Sequence, residues 1–308
     1  MSGLREAAAC YLATRRGLGF KMKGEGRLLE QFTAFAESAG ADTVTTELAL
    51  QWATLPAPAS AAWHARRLTV VRGFARWLTA ADPQAQVPPA GLLPGRARRA
   101  VPYLYSEADI TALTAAAGRL DPQWKAVTMQ AMTGLLFATG ARLGEALGLE
   151  RGDLDEDTGL LTIRETKARR PRQLPLHPTV VTALAGYAHR RDQEWARPAT
   201  PAFFVSTTGA RLARTTVQET FRRLLRETGI YDRVGGLRPR IHDARHTFAV
   251  TTLAGWYRDG GDVQGRLPLL STWLGHADPR HTYWYLSAAP ELLTLAAGRL
   301  ELPAEGTP

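Results

Sequence analysis

Cysteine is almost absent, with Cys10 the only one in 308 residues. That excludes an internal disulfide and any cysteine-based zinc site, and leaves Cys10 expected as a small core residue. No run of about 18 uncharged apolar residues exists to span a bilayer. The N-terminus also lacks the basic-then-apolar pattern of a signal peptide, so no membrane is expected as a partner and the expected location is cytoplasmic. There is no G-x-x-x-x-G-K-[ST] phosphate loop and no clustered acidic set of the kind that holds two magnesium ions. No histidine pair is expected at metal-ligand spacing within one helix, and no cofactor of any kind is expected.

What is present is basic. The net charge is +9 and the isoelectric point is near 10.1, with arginine dominating the basic set. Arginines that neutralise phosphates release counterions from nucleic acid, so a polyanionic partner is expected. Apolar residues make up 45% of the chain, and its length suggests two domains.

Residues 1–82 read as a helical domain, with patterns over about Leu4–Arg15, Arg27–Ser38, Thr46–Ala53 and Ala61–Thr79. In the last, Trp63, Val70, Phe74, Trp77 and Leu78 form an apolar stripe, and Arg66, Arg67, Arg72 and Arg76 form a basic one. Either an ordinary solvated face or a helix lying along DNA with arginines on phosphates fits that pattern. Residues 83–100 hold prolines and glycines and end at Arg96, Arg98 and Arg99, which reads as an interdomain linker. Residues 101–308 form the second domain.

In that second domain Ser106 opens a helix with Glu107 and Asp109 in its first turn, and a mostly apolar helix follows over about Trp124–Ala138. After Gly140 the segment ARLGEALGL places Arg142 and Glu145 on one face of a short helix. An arginine in such apolar surroundings must be paired or hold an anion. Leu161–Arg164 and Gln173–Leu176 read as a hairpin whose connection carries Lys167, Arg169, Arg170 and Arg172. Helices are expected over about Pro178–Arg190 and Thr216–Thr228, with Phe203–Val205 a short buried strand or turn between them. A further helix begins near His242 and puts His242 and Arg245 on one face, with His246 pointing elsewhere. In LSTWLGHADPRHTYWYL, His276 follows Gly275 in a tight loop and Tyr285 comes nine residues later. Taken alone, Tyr285 is more simply a buried aromatic than a nucleophile.

In this order Arg142, Lys167, His242-x-x-Arg245, His276 and Tyr285 resemble the tyrosine recombinases, also called the phage integrase family, over about residues 101–290. Residues 1–82 look like that family's core-binding domain. The resemblance implies a mainly α fold with a small β-sheet, in which an all-helical domain is joined by a linker to an α+β catalytic domain to form a C-shaped clamp on DNA. It singles out Lys167, eight residues before Pro175, as the catalytic lysine, and Tyr285 rather than Tyr283 as the nucleophile. Arg142 and Arg245 would hold the non-bridging phosphate oxygens, His276 would add a hydrogen bond, His242 would act as base, Lys167 would protonate the leaving 5′ oxygen, and Glu145 would orient the site. The 31-residue step from Arg245 to His276 is a few residues longer than is common, an excess placed in the Gly260-Gly261 loop before Leu267.

The activity so implied is site-specific recombination of double-stranded DNA through a 3′-phosphotyrosyl link and a Holliday junction, without metal or ATP. The simple two-domain arrangement resembles mobile-element recombinases, with a chromosome or plasmid dimer resolvase as the alternative. A type IB topoisomerase and a non-catalytic DNA-binding protein stand behind these. A monomer in solution and a homotetramer on synapsed DNA are implied, with a helix at about 290–301 docking on a neighbouring protomer, and partner recombinases or accessory proteins as possible company.

Overall fold

In this computed structural model the described residues are 3–55, 58–95, 101–164, 171–195, 199–233, 237–276, 278–288 and 290–300. The chain divides into two units, Met1–Ala100 and Val101–Pro308. Lys167, Arg169 and Arg170 lie outside the described residues, as do Arg96, Arg98 and Arg99. Among the described residues no helix is long and apolar enough to cross a membrane.

The first unit is built from α1 (Leu4–Gly17), α2 (Lys23–Ser38), α3 (Thr46–Thr54) and α4 (Ala61–Leu78). Thr45 caps α3 by accepting from the Leu48 amide, and Ser60 caps α4 by accepting from that of Trp63. Phe74 is fully buried, against Tyr11, and Phe32 meets Trp52 edge to face. Each such ring removed from water stabilises the fold by about 1.5–3 kcal/mol. Two expectations fail here. Trp63, placed in the apolar stripe, is exposed, and Cys10, expected in the core, is exposed as well. The segment expected as a linker is packed on this unit at least as far as Leu93. Ala85 is buried, Val87 and Leu93 lie against the same core, and the Gln86 amide donates to the Val44 carbonyl. Proline-rich chain cannot form a ladder, and here its free carbonyls are satisfied by a side chain instead. Arg72 donates to the Pro88 and Pro89 oxygens at 2.7 and 2.8 Å.

The second unit begins with α5 (Glu107–Gly118), whose Ser106 and Asp109 form a reciprocal capping box. Then come α6 (Gln123–Thr139), the short α7 (Leu143–Gly148), and an antiparallel sheet of β1 (Leu154–Asp155), β2 (Leu160–Ile163) and β3 (Arg172–Pro175) in the order β1-β2-β3. The first strand was not anticipated, being only two residues long. In the β2–β3 register Ile163 faces Arg172 and Leu161 faces Leu174, so alternate residues enter the core. Helices α8 (Pro178–Glu194), α9 (Arg214–Glu227), α10 (Ile230–Arg233), α11 (Asp243–Arg258), α12 (Val263–Leu274), α13 (Arg280–Ala288) and α14 (Pro290–Leu300) complete the chain. The expected mainly α fold with one small sheet is therefore present. The residues thought to lengthen the Gly260-Gly261 loop are helical instead, because Asp262 caps α12 and the helix already runs from Val263.

Two apolar clusters fill the second unit. One joins α5, α6, the sheet, α8 and α9. The other gathers Ala249 and Leu253 of α11, Leu267 and Leu274 of α12, Tyr285 of α13 and Leu292 of α14. The residues of interest lie where α6 gives way to α7, at the start of α11, and around the α12–α13 turn.

Candidate functional site

Helix α6 ends because Gly140 turns into the left-handed region at φ 62°. A Cβ there would stand 2.7 Å from the Phe248 ring, so conformation and space both require glycine. The turn lets Arg142 serve as the N-cap residue of α7, with Glu145 three positions on. The Glu145 carboxylate accepts from the Arg142 amide at 2.9 Å and from its Nη1 at 2.7 Å. Arg142 Nη2 reaches the Gly275 carbonyl at 3.2 Å. Its side chain keeps 26% exposure, so part of the guanidinium faces outward.

Arg172, expected among the DNA contacts, is instead nearly buried at 8% side-chain exposure. Its Nη2 and Nη1 donate to the two Glu145 oxygens at 2.9 and 3.3 Å, and its Nε donates to the Trp273 carbonyl at 2.7 Å. As first residue of β3 it pairs with the buried Ile163 and turns its side chain to the same, inner face of the sheet. Burial pushes the Glu145 carboxyl up, but bonds from Arg172 and Arg142 outweigh this and hold it below its ordinary range.

Arg245 lies in the first turns of α11 and is 3% exposed. It donates to the Gly140 carbonyl at 2.9 Å and to that of Leu274 at 2.5 Å. Burial, together with the positive charge of Arg142, lowers its pKa to about 10, so it remains charged at neutral pH. A buried guanidinium has five donors and demands partners, and two carbonyls leave room for an anion.

The α12–α13 turn is pinned from several sides. Trp273 donates its indole N–H to the Thr139 carbonyl at 2.8 Å. Gly275 has φ 64°, and a Cβ on it would meet Arg172 Nη1 at 2.7 Å. His276 follows, its Nδ1 2.7 Å from the Thr282 hydroxyl and its ring stacked on Tyr285 with centroids 6.1 Å apart. Burial and the charges of Arg245 and Arg142 lower the His276 pKa to about 3, so the imidazole is neutral at pH 7. His242, open to solvent on one side, also has a lowered pKa, from desolvation and then the Arg245 charge.

Tyr285 is 3% exposed and belongs to the apolar cluster of α11 and α12. Tyr283 is 49% exposed. His246 corrects two expectations. It does not point elsewhere, since its buried ring lies 5.3 Å from that of His242 and 5.4 Å from that of Tyr285. It also forms, with His242, a histidine pair four apart at the start of one helix, the spacing thought absent. The four-residue step in HDARH was the available signal. Among the described residues no group of three or more His, Cys, Asp or Glu is arranged to hold a metal.

Arg142, His242, Arg245, His276 and Tyr285 thus come together, with Glu145 behind Arg142. The basic stripe of α4 divides. Arg66 is exposed, 3.7 Å from Glu25, and Arg76 is exposed. Arg67 is buried, bonded to the Trp52 carbonyl at 2.6 Å and lying 3.7 Å over the Trp52 ring. Arg72 is half-buried on the proline carbonyls.

A buried arginine, Arg245, and a partly exposed one, Arg142, beside a phenol and neutral imidazoles make a centre suited to an anionic phosphoryl group. The chain belongs to the phage integrase family, the tyrosine recombinases, enzymes that cleave and rejoin DNA strands. The family model matches residues 105–291. The chain is 43% identical over 307 residues to the Sinorhizobium fredii protein y4rB, described as an integrase/recombinase, covering 98% of each chain. It is 33% identical over 221 residues to the tyrosine recombinase XerC of Azotobacter vinelandii, covering 72% of this chain and 68% of that one. The fold matches the integrase of transposon Tn1549, solved with transposon right end DNA, with a TM-score of 0.65 at 17% identity over 96% of this chain and 99% of the other.

Proposed function

We propose that this chain is a site-specific DNA recombinase that cuts and rejoins strands through Tyr285, serving the movement of a mobile genetic element. The observation that carries the reading is the meeting of Arg142, Arg245, His242, His276 and Tyr285 from separate stretches around one buried, positively charged centre. Arg142 and Arg245 hold the two non-bridging oxygens, where fixed charge stabilises the pentavalent state most. His242, neutral at pH 7, takes the Tyr285 proton as base. His276 donates to a non-bridging oxygen from Nε2, a role that requires the tautomer in which Nδ1 accepts from the Thr282 hydroxyl 2.7 Å away. The Tyr285 oxygen–phosphorus bond forms, the bond from phosphorus to the 5′ oxygen breaks, and Lys167 supplies the proton that leaves with the 5′ hydroxyl. The 3′-phosphotyrosyl link stores the bond energy, so rejoining needs no ATP.

Two such exchanges through a four-way junction require two DNA sites and four protomers, and the proposed assembly is a monomer that tetramerises on paired sites in the cytoplasm. Residues 1–82 and the exposed Arg66 and Arg76 are the proposed DNA contacts of the first domain, with Arg169 and Arg170 those of the hairpin. The XerC likeness favours a second reading, resolution of chromosome or plasmid dimers.

The test is to incubate the protein with a pool of nicked duplexes of randomised sequence and recover covalent adducts. Tyr285→Phe should form none while binding DNA nearly as wild type does, and Tyr283→Phe should still form them. Adducts retained by Tyr285→Phe would identify the wrong nucleophile. Sequencing the trapped strands gives the site, and whether it lies at element ends or in a chromosomal or plasmid locus separates the two readings.

A further inference from the structure

Three guanidinium groups, those of Arg142, Arg172 and Arg245, and the Glu145 carboxylate gather where α7, β3, the start of α11 and the α12–α13 turn come together. Both oxygens of the buried Glu145 are shared, taking the Arg142 amide and Nη1 on one side and two nitrogens of Arg172 on the other. Arg142 keeps 26% side-chain exposure and Arg172 only 8%. Arg172 is thus withdrawn from solvent while Arg142 still faces outward. The third bond of Arg172, from Nε to the Trp273 carbonyl at 2.7 Å, fastens it to the turn that presents His276. Gly275 in that turn admits no Cβ because Arg172 fills the space, and the Gly275 carbonyl accepts from Arg142.

Charge decides what this arrangement does. Arg142 and Glu145 alone would largely cancel, leaving Arg245 to face a phosphodiester by itself. With Arg172 included, three positive groups stand against one negative, a surplus of two. A phosphodiester carries one negative charge and its pentavalent state about two, so the surplus matches the transition state better than the ground state.

We propose that Arg172 is a positioning residue for strand cleavage. By sharing Glu145 it keeps Arg142 from being neutralised, and by bonding Trp273 it fixes the turn from which His276 acts. It touches no DNA and works through Arg142 and His276. The proposal rests on the strand-cleavage reading above.

The test uses the full chain and a nicked duplex that wild type selects from a randomised pool. It measures the single-turnover rate of adduct formation at saturating DNA, the dissociation constant, and its salt dependence. Arg172→Ala should lower the rate about 10–100-fold, the usual cost of removing a partner that orients a reacting group. Its dissociation constant should stay within about twofold and its salt slope should not change. Adding Glu145→Gln to Arg172→Ala restores the charge surplus and should raise the rate at least about fivefold over Arg172→Ala alone. Arg172→Lys, which keeps the charge but loses the fork, should fall between wild type and Arg172→Ala.

An unchanged rate with Arg172→Ala overturns the proposal. So does weakened binding with a salt slope lower by about one, the mark of a lost phosphate contact. A slower rate that Glu145→Gln does not improve, accompanied by a lowered melting temperature, makes Arg172 merely structural and also overturns it. Should Arg172→Ala not fold, Arg172→Lys with and without Glu145→Gln carries the comparison, and a wild-type rate in Arg172→Lys overturns the proposal. No adduct from wild type itself overturns the cleavage reading, whereas wild-type adducts alongside an unaffected Arg172→Ala overturn the role of Arg172 alone.

Discussion

Arg245 donates a 2.9 Å hydrogen bond to the carbonyl of Gly140, a residue 105 positions earlier whose left-handed backbone no other side chain would fit. The glycine that ends α6 is thereby also the anchor of a buried charge. Gly140→Ala should cost about 1–2 kcal/mol for the backbone, with about 1–3 kcal/mol more for the clash with Phe248. Thermal denaturation should show a melting temperature lower by several degrees, at about 2–4 °C per kcal/mol in a unit of this size.

The depressed pKa of His276 predicts a pH dependence of stability. Its folded value is about 3 and its reference value 6.5, so below pH 6.5 the unfolded chain binds a proton that the folded chain refuses. Stability therefore falls as pH drops from about 6.5 toward 3. Replacing it with glutamine removes this contribution, and His276→Gln should lose less stability than wild type between pH 6.5 and 4 in denaturant titrations. An equal loss in both would show that the imidazole titrates normally.

Thr282 is buried, and its hydroxyl lies 2.7 Å from His276 Nδ1. Thr282→Val keeps the shape, removes the hydroxyl partner of Nδ1, and should slow adduct formation by about 10-fold or more. DNA affinity should stay within about twofold, as a gel-shift titration would measure.

The α4 arginines should separate by burial. Arg66→Ala and Arg76→Ala should each weaken DNA binding and lower the salt slope by about 0.9 per phosphate lost. Arg67→Ala should leave the slope unchanged and destabilise the first unit by about 1–3 kcal/mol, because it removes the partner of a buried carbonyl and the packing on Trp52.

The sequence carried the helices well, because an apolar stripe and a capping residue are local. Ser106 caps where its type and position predict, and α1, α3, α4 and α6 begin and end close to the expected places. Helices α12 and α13 were not foreseen, since Pro268 sits inside the first and the DPRH turn masks the start of the second. The packing of the proline-rich segment after Asp82 was hidden for the opposite reason. Its composition excludes regular structure, but nothing local says that Arg72 will satisfy its carbonyls.

By itself the chain determined the family, the helical character and the order of Arg142, Lys167, His242, Arg245, His276 and Tyr285, since these depend on residue type and spacing. Only the tertiary structure decided which arginines are available to a ligand. Arg67, Arg72 and Arg172 read in sequence like Arg66 and Arg76, yet the first three spend their donors on Trp52, on the prolines, and on Glu145 with Trp273. A guanidinium has the same charge everywhere along the chain. Whether it faces water depends on carbonyls and carboxylates brought near from distant segments, and folding alone makes that choice.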